Sequence, residues 1–583
     1  MTTATATDTG IRFLAAGSGI EEMTGWLSED HGTLAVDTET TGLDVDADGF
    51  AVRQVCIGAS DGTAWVLDGA DRDLARAALT AAVRSGKPLW AHNATYDWNV
   101  IRAVYGMRLN GLRCSLAFTR TFDPGLIETG GGSLKVLRPA TQAALDQLAA
   151  HWSRIGGTPV SADDGHSWLA DAVVGLASDD PVLLRYVATD AIECARLVDQ
   201  WRRDVPDRDE RRCGAREVKV EDLWRIPSSR GYVVDTAMLD QELAKLDDTR
   251  AEVVARWGVD LTGTSNAVRA WVAERGIEIT DRYGKPTLSW KAFPFAEVPE
   301  SAQEDWREFV AAREVGRNAN KLNEIDGALR SDRVYPSIRG LGAKTGRMAM
   351  SRPALQNLPE KLRPLLLADP GMVLVGCDLD RVEPRVIAAL TQDEALVEAV
   401  QQDVYTELAL SIYGAEAEGN PRLRKIAKTA FLAIAYGEGL HSLAFNLGVP
   451  VSEAKQVLAG IRRAYPRMAQ WMTRVKRDAE HGRDLHTAYG RLLPRTPEKP
   501  YRAVNWLIQG TAADLFKIIT VEVAEVMGRH ALWMPMHDEL VLQVTPDRAE
   551  EACDVLRQAM TTELDGVPIT GTPVVLGERW GKA

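Results

Sequence analysis

The sequence predicts two kinds of fold in one chain, an α/β domain with a mixed sheet and flanking helices and then an α+β region. Its 583 residues are too many for a single hydrophobic core, so several domains are expected. Residues 10–200 alternate short apolar strands with helical patterns, which is typical of a sheet covered by helices. Further along, sheet patterns at 372–377 and 532–544 enclose a long helical block at 394–483. This order indicates a second sheet that is interrupted by a helical insertion.

The elements of the first part follow from local patterns. Strands are predicted at 34–37, 52–59 and 64–67, with turns at 46–49 and 61–62. Helical periodicity is strongest at 140–150 and 181–201. Residues 201–230 begin with alternating charges and a proline, which indicates a linker between domains. Residues 235–329 are mainly helical, apart from a turn-rich patch at 281–285.

Composition limits the possible classes of protein. The chain is 45% hydrophobic and 26% charged, and it has no apolar run of the roughly 20 residues that a membrane span needs. No secretory signal is evident at the N-terminus. The six cysteines are scattered without a CxxC pair, which argues against a zinc ribbon and a disulfide framework. A net charge of −14 does not exclude nucleic-acid binding, because a local basic groove meets the phosphates.

Acidic residues mark the end of the first predicted strand. Asp37 and Glu39 are two residues apart on that strand and therefore face the same side. Asp97 lies in a later stretch, and Tyr186 and Asp190 are four residues apart on a predicted helix. Each match alone is compatible with a chance acid pair or a packed tyrosine beside a solvated acid, but three matches in order favour a common site.

Such a set of carboxylates requires cations. Carboxylates about 4 Å apart would repel by roughly 4 kcal/mol per pair at an effective dielectric constant of 20. Two Mg²⁺ ions bound by Asp37, Glu39, Asp97 and Asp190 would hold a scissile phosphate and lower the pKa of an attacking water, which Tyr186 would orient. Residues 10–200 resemble the DEDD exonuclease superfamily in its tyrosine-bearing form. The resemblance implies an RNase H-like fold and a 3′→5′ exonuclease.

A second acidic set lies in the C-terminal half. Asp378 ends an apolar strand, and Glu383 follows on a predicted helix. Residues 534–544 indicate a hairpin with Asp538 and Glu539 at its tip. The two acidic ends of a split sheet are therefore expected to converge.

Between these acids, residues 424–436 predict a helix with a functional stripe. Arg424, Lys428, Leu432 and Tyr436 recur every fourth residue, so neighbours in this series share a face. Two cations followed by an apolar side chain and a ring suit a triphosphate and then a sugar and base.

These features together resemble family A DNA polymerases, from about residue 220 to 583. Further matching blocks are Thr345–Arg347, Ser351–Pro359, Tyr489–Arg491 and Asn505–Asp514. The resemblance implies a right-hand polymerase with a thumb at 231–345, the first part of the palm at 346–395, fingers at 396–480 and the second part of the palm at 481–583.

The resemblance also implies residue roles. Two Mg²⁺ ions, or alternatively Mn²⁺, would be held by Asp378, Asp538 and the carbonyl of Leu379. Arg424 and Lys428 would clamp the triphosphate. The remaining implied members are Leu432, Tyr436, Glu383 and His537 at the nucleotide, Glu539 near the primer terminus, and Arg347, Asn505 and Gln509 as readers of the DNA minor groove.

The chain departs from this family at a few positions. Leu432 stands where an aromatic residue is usual, and Asp380 adds a carboxylate where a small hydroxyl residue is common. Pro384 follows the gate residue Glu383, which is acceptable only near a helix start.

The predicted function is template-directed DNA synthesis with proofreading. The resemblance implies primer–template DNA and dNTPs as ligands, replisome accessory proteins as partners, no membrane association, a monomer and a cytoplasmic location. The start of the exonuclease pattern near residue 10 leaves no room for a 5′ nuclease, which is typical of a bacteriophage enzyme. Three alternatives are an exonuclease with a decayed polymerase half, a single-subunit RNA polymerase and a non-enzymatic architectural protein. Glu383 and the attached exonuclease favour DNA synthesis.

Overall fold

The chain forms two compact units in the computed structural model, which describes residues 5–6, 10–128, 131–157, 167–279, 286–288, 298–447 and 449–581. Unit 1 comprises Met1–Arg225, Gly340–Lys344 and Tyr489–Pro494. Unit 2 comprises Ile226–Arg339, Thr345–Ala488 and Arg495–Ala583. The turn-rich patch predicted at 281–285 lies outside the described residues. Within those residues, none of the helices combines the length and the apolar character needed to cross a membrane.

Unit 1 is built on a seven-stranded sheet with the order β1-β2-β5-β4-β3-β6-β7. Its strands are Thr5–Ala6 (β1), Ile11–Leu14 (β2), Leu34–Thr40 (β3), Val52–Ala59 (β4), Ala64–Asp68 (β5), Leu89–Ala91 (β6) and Arg113–Cys114 (β7). β3 and β5 both run antiparallel to β4, whereas β2 is parallel to β5 and β6 is parallel to β3 and β7. The predicted mixed sheet with flanking helices is confirmed.

The next helices lie in unit 1, except that the last five residues of α10 belong to unit 2. They are Glu21–Ser28 (α1), Arg72–Arg84 (α2), Thr95–Tyr105 (α3), Ser115–Phe122 (α4), Gly125–Glu128 (α5), Leu134–Leu137 (α6), Pro139–Arg154 (α7), Ser167–Gly175 (α8), Pro181–Asp204 (α9) and Arg208–Arg230 (α10). Residues 201–230, the predicted linker, are therefore mostly helical, and only 205–207 separate α9 from α10.

Helix α9 packs directly on strands β3 and β4. The helix begins at Pro181 because the Asp180 side chain accepts hydrogen bonds from the backbone N–H groups of Val182 (2.9 Å) and Leu183 (3.1 Å). Its close approach to β4 depends on Gly58, where a Cβ atom would lie 2.9 Å from the Cβ of Ala191. The absence of a side chain at Gly58 thus lets the middle of α9 reach the sheet.

Unit 2 contains a four-stranded antiparallel sheet with the order β14-β15-β13-β18 and three smaller sheets. The strands of the unit are Tyr232–Val234 (β8), Arg333–Val334 (β9), Ser337–Arg339 (β10), Ala349–Ser351 (β11), Leu366–Leu367 (β12), Val373–Leu379 (β13), Leu532–Met536 (β14), Glu539–Val544 (β15), Thr562–Leu564 (β16), Val567–Ile569 (β17) and Gly571–Gly577 (β18). Strand β15 lies between β13 and β14 in this sheet, although about 150 residues separate β13 from β14 in the chain.

The helices of unit 2 include the predicted insertion between β13 and β14. They are Thr236–Trp257 (α11), Asn266–Ala273 (α12), Gln303–Asp326 (α13), Val382–Thr391 (α14), Glu394–Ala399 (α15), Val404–Tyr413 (α16), Pro421–Ala435 (α17), Leu440–Leu447 (α18), Val451–Ala464 (α19), Pro466–Glu480 (α20), Tyr501–Met527 (α21) and Ala549–Met560 (α22). Trp271, Trp306 and Phe309 form the centre of a separate hydrophobic cluster around α12 and α13. α21, α22 and α14 pack together beside the four-stranded sheet.

Candidate active sites

Three carboxylates meet in unit 1. Asp37 and Glu39 project from the same side of β3, and Asp190 projects from α9, which crosses this strand. One oxygen atom from each of the three side chains lies within 4.8 Å of the others. The strand alternation and the helix packing together bring into one site acids that are 150 residues apart in the sequence.

Asp97 and Tyr186 lie at the edge of this group. The Asp97 carboxylate accepts hydrogen bonds from the backbone N–H (3.0 Å) and the hydroxyl (2.8 Å) of Thr38, the residue between the two strand acids. The Tyr186 phenol lies close enough to Asp190, one turn further along the same helix, for the two groups to influence each other's pKa. All five side chains of the predicted set are thus close together, although Asp97 is bound to Thr38 and is not one of the three clustered carboxylates.

Burial and mutual repulsion disfavour ionisation of these acids. Burial is the main cause that raises the pKa of Asp37 to about 6 and the pKa of Asp190 to about 8. Burial and the neighbouring carboxylates also raise the pKa values of Glu39 and Asp97 well above their usual range. A cluster of carboxylate oxygens that resists ionisation has the donor chemistry of a Mg²⁺ site, because hard divalent cations prefer oxygen ligands. The residues therefore fit the expected metal.

The sequence patterns did not single out Lys135, a cation that acts electrostatically on three of the acids. Its ammonium lowers the pKa of Asp37, Glu39 and Asp190, against the effect of burial. Lys135 lies on α6, a helix of four residues that has too few positions for a periodic pattern.

A second group of acids meets at the tip of the hairpin in unit 2. Strands β14 and β15 are joined by the two residues His537 and Asp538, and His537 has a φ angle of 58°. Asp378 on β13 is directly opposite Glu539 on β15, so their side chains lie on the same face of the sheet. The backbone N–H of Leu379 donates a hydrogen bond of 3.1 Å to the Asp538 carbonyl, which fixes the turn beside the end of β13.

The electrostatics of this second group resemble those of the first. Burial, followed by the negative charges of Asp538, Glu539 and Asp380, raises the pKa of Asp378 to about 7. Burial likewise raises the pKa of Asp538, although the Arg347 guanidinium opposes it. Burial lowers the pKa of His537. The two aspartates offer oxygen donors whose repulsion a divalent cation would relieve, so they also fit Mg²⁺.

The additional acid Asp380 is bound within the sheet region. Its carboxylate accepts hydrogen bonds from the hydroxyls of Thr570 (3.2 Å) and Thr572 (3.5 Å). Its backbone N–H also bonds to the Thr570 carbonyl at 2.8 Å. These partners hold Asp380 toward β18, while its charge still contributes to the raised pKa of Asp378.

Glu383 links several of the predicted nucleotide and DNA residues. One carboxylate oxygen accepts a hydrogen bond of 2.8 Å from the Tyr436 hydroxyl, and the other accepts one of 3.1 Å from the Arg347 guanidinium. Gln509 lies close enough to Tyr436 to lower the pKa of its phenol, against the effect of burial. Asn505 and Gln509 are half-buried positions four residues apart on α21, most of whose neighbouring residues are buried. The structure therefore joins Glu383, Tyr436 and Arg347 in one hydrogen-bonded cluster, with Gln509 beside it.

The predicted stripe on α17 is half-buried except at the exposed Lys428, and its first member is already paired. Arg424 contacts the Asp403 carboxylate through Nε (2.5 Å) and through a terminal nitrogen (3.1 Å). The Lys428 ammonium lies 5.6 Å from the ring centre of Tyr405. Leu432 is half-buried on the same side of the helix.

Asp403 and Tyr405 were missed by the sequence patterns. Asp403 immediately precedes α16, where an aspartate is typical of a helix N-cap, but its carboxylate binds Arg424 and Thr406 and makes no capping hydrogen bond. Tyr405 is a buried residue of an apolar helix and has the pattern of a core residue.

Comparison with known proteins agrees with this architecture. Residues 306–582 match the family model described as DNA polymerase family A. The chain is 26% identical over 566 residues to the DNA polymerase of Mycobacterium phage L5, covering 94% of this chain and 93% of that protein. It is 30% identical over 277 residues to the thermostable DNA polymerase I of Thermus aquaticus, covering 43% of this chain and 33% of that protein.

A solved structure with a similar fold is the polymerase domain of Pol1 from M. smegmatis in complex with a DNA primer–template and a dNTP. The TM-score is 0.74 at 20% sequence identity, and the match covers 98% of this chain and 100% of that one. The fold and the family match are those of a DNA-directed DNA polymerase. Over residues 306–582 the chain belongs to DNA polymerase family A.

Proposed function

We propose that unit 2 adds dNTPs to a primer 3′-hydroxyl opposite a DNA template, and that unit 1 removes nucleotides from DNA 3′ ends. The observation that carries the polymerase assignment is the register that pairs Asp378 with Glu539 beside the Asp538 turn. The M. smegmatis neighbour shares the fold and is bound to primer–template and dNTP, which supports the same ligands here.

In the proposed polymerase site, Asp378, Asp538 and the Leu379 carbonyl would hold two Mg²⁺ ions. Divalent cations at this position would lower the pKa of the primer hydroxyl and neutralise charge on the triphosphate. Arg424 and Lys428 bind the phosphates from α17, and Arg424 exchanges its Asp403 partner for the triphosphate. Their fixed positive charges stabilise negative charge that develops on the leaving pyrophosphate.

The remaining residues of unit 2 position the nucleotide and the duplex. Tyr436 and Glu383 form a wall beside the sugar, and Leu432 supplies an apolar contact from the same helix. Arg347, Asn505 and Gln509 contact acceptors in the minor groove that all correct base pairs share. His537 and Glu539 support the primer terminus.

In the proposed exonuclease site, Asp37, Glu39, Asp97 and Asp190 would hold Mg²⁺ ions at the terminal phosphodiester. Tyr186, a buried residue one helical turn before Asp190, orients the attacking water. Water adds to phosphorus as the bond to the 3′-oxygen breaks, which leaves a shortened strand and a nucleoside 5′-monophosphate. A mispaired primer end frays more readily than a paired one, so this activity serves proofreading.

The similarity to phage polymerases over nearly the whole chain supports a role in bacteriophage DNA replication. The proposed subdomains of the polymerase are a thumb at 231–345, a palm at 346–395 and 481–583, and fingers at 396–480. The strands β13, β14 and β15, which carry the acids, fall in the two palm segments.

A primer-extension assay tests both activities in one protein. A labelled primer–template is incubated with Mg²⁺, with and without dNTPs, for the wild type, Asp378→Ala and Asp37→Ala. The wild type is expected to extend the primer with dNTPs and to shorten it without them. Asp378→Ala should lose only extension, and Asp37→Ala should lose only shortening.

Each half of the proposal can fail separately. A wild-type protein that shortens the primer but never extends it would contradict the polymerase site. Persistent shortening by Asp37→Ala would contradict the exonuclease site, since the reaction would then arise elsewhere or from a contaminant.

A further inference from the structure

The cation Lys135 faces the carboxylate cluster of unit 1. The Lys135 ammonium lies 5.8 Å from the ring centre of Tyr186, the residue one helical turn before Asp190 on α9. The positive charge of Lys135 acts on Asp37, Glu39 and Asp190 together. Lys135 therefore lies at the site, although the residues predicted there from the sequence were four acids and a tyrosine.

The ammonium has no direct partner among the residues that the structure describes, neither an ion pair nor a hydrogen bond. Other cations of unit 1 are paired, as in the contacts of Arg138 with Glu193 and of Arg225 with Asp222. Lys135 thus stands opposite the acids without being neutralised by direct contact. An anion between the ammonium and the acids would meet the lysine on one side and acid-bound cations on the other.

The backbone that presents Lys135 is held in place. The His92 side chain is hydrogen-bonded to the Gly132 carbonyl at 2.6 Å, and Arg120 donates a hydrogen bond of 2.8 Å to the Gly131 carbonyl. Gly132 has a φ angle of 102°, and a Cβ atom there would lie 2.6 Å from a methyl carbon of Leu116. Two part-buried hydrogen bonds, and the close packing that only glycine allows at position 132, thus fix the turn immediately before α6.

We propose that Lys135 binds a non-bridging oxygen of the terminal phosphodiester of a single-stranded DNA 3′ end. This inference rests on the proposed exonuclease function of unit 1. The phosphate gains negative charge as water adds to phosphorus and the bond to the 3′-oxygen breaks, and the ammonium stabilises that charge. Lys135 remains protonated throughout and transfers no proton.

The substitution Lys135→Met tests this role because it retains the length of the side chain without its charge. Lys135→Arg keeps the charge, and Arg185→Ala is a matched control that removes an exposed cation next to Tyr186 on α9. Each full-length protein is assayed for kcat and KM in shortening a single strand. Primer extension by the same proteins monitors the folding of the rest of the chain.

A second readout follows binding without hydrolysis. A single strand with 2-aminopurine as its 3′-terminal base is titrated with each protein in Ca²⁺, and the fluorescence of this base reports entry of the 3′ end into the site. Lys135→Met is expected to lower kcat/KM and to weaken this binding by roughly tenfold or more each, as the loss of a charge-assisted hydrogen bond predicts. Lys135→Arg should retain most of both, and Arg185→Ala should match the wild type.

Equal shortening rates for Lys135→Met and the wild type would overturn the proposal. A reduced rate with unchanged 2-aminopurine binding would also overturn it, because the phosphate contact exists in the bound state. Asp37→Ala is measured in parallel. If Asp37→Ala still shortens DNA, the exonuclease assignment itself fails, whereas loss of activity in Asp37→Ala with normal Lys135→Met refutes only the role of the lysine.

Discussion

The Tyr436 hydroxyl donates a hydrogen bond of 2.8 Å to the Glu383 carboxylate, a residue 53 positions earlier in the chain. Glu383 lies in the first turn of α14, and Tyr436 directly follows the last residue of α17. The Arg347 guanidinium binds the second carboxylate oxygen of Glu383 at 3.1 Å, so the carboxylate is fixed at both oxygens. In the proposed nucleotide site, this fixed acid and the aromatic ring would stand beside the sugar and exclude an additional hydroxyl.

The substitution Glu383→Ala should therefore relax the choice between dNTPs and rNTPs. Removal of the carboxylate opens space beside Tyr436, and discrimination against rNTPs is expected to fall by roughly tenfold or more, which corresponds to about 1.4 kcal/mol. The measurement is the ratio of kcat/KM for a dNTP and the matching rNTP. Tyr436→Phe, which removes only the hydroxyl, is the matched variant and should have a smaller effect. Unchanged discrimination in Glu383→Ala would show that another residue excludes the 2′-hydroxyl.

The substitution Asp378→Asn should stabilise the protein at pH 8 when metal is absent. The folded-state pKa of Asp378 is raised from 3.8 to about 7, so ionisation of this group costs stability as the pH rises through that range. A neutral side chain removes this cost above pH 7. The melting temperature in EDTA is expected to be higher for Asp378→Asn than for the wild type at pH 8, with a smaller difference at pH 5.

Added Mg²⁺ provides the control for this prediction. Metal that binds the folded protein should raise the melting temperature of the wild type more than that of Asp378→Asn. A wild-type protein that is more stable than the variant in EDTA at pH 8 would contradict the argument from carboxylate repulsion.

The substitution Gly58→Ala should disturb the exonuclease centre while leaving extension intact. The new Cβ atom would meet the Ala191 Cβ and the Ile192 nitrogen at 2.9 Å, which pushes α9, and with it Asp190, away from β3. Overpacking of this kind costs about 1–3 kcal/mol. The melting temperature and the rate of DNA shortening are both expected to fall.

The matched control is Gly25→Ala on α1, where a Cβ atom would have no neighbour within 4 Å. In a helix, alanine is favoured over glycine by about 1 kcal/mol, so this variant should be as stable as the wild type or more stable. Equal behaviour of the two alanine variants would mean that α9 can shift without consequence for the site.

His92 should make the stability of the protein depend on pH between 7 and 5. Burial lowers its folded-state pKa from 6.5 to about 4, so the unfolded chain binds a proton first as the pH falls. The stabilisation is fully present above pH 6.5 and is lost progressively below it, by about 2 kcal/mol at pH 5. The measurement is the free energy of unfolding in urea at both pH values for the wild type and His92→Asn. The variant should lose less stability between pH 7 and pH 5, and an equal loss in both would contradict the buried neutral histidine.

The sequence predicted the elements that have a strong local pattern. The strands at β3, β4, β5, β13 and the β14–β15 hairpin, and the long helices α9 and α17, lie where alternation or helical periodicity predicted them. Several residues implied by the family resemblance also lie close together, as Asp37, Glu39 and Asp190 do in unit 1 and Glu383, Tyr436 and Arg347 do in unit 2, but their roles remain predictions. These parts could be predicted because strand alternation and helical repeats are properties of neighbouring residues.

The tertiary structure decided the pairings that no local pattern contains. The bidentate contact of Arg424 with Asp403, the hydrogen bonds of Asp97 to Thr38, and the position of Lys135 near Tyr186 join residues 21, 59 and 51 positions apart. Asp403 has the pattern of a helix cap and Lys135 that of a solvated lysine, because a residue type does not reveal its distant partners. By itself, the sequence determined which segments form strands and helices and where acids end the strands. Only the packing of those segments decided which charges meet, because electrostatic contact depends on distance in space and not on separation in the chain.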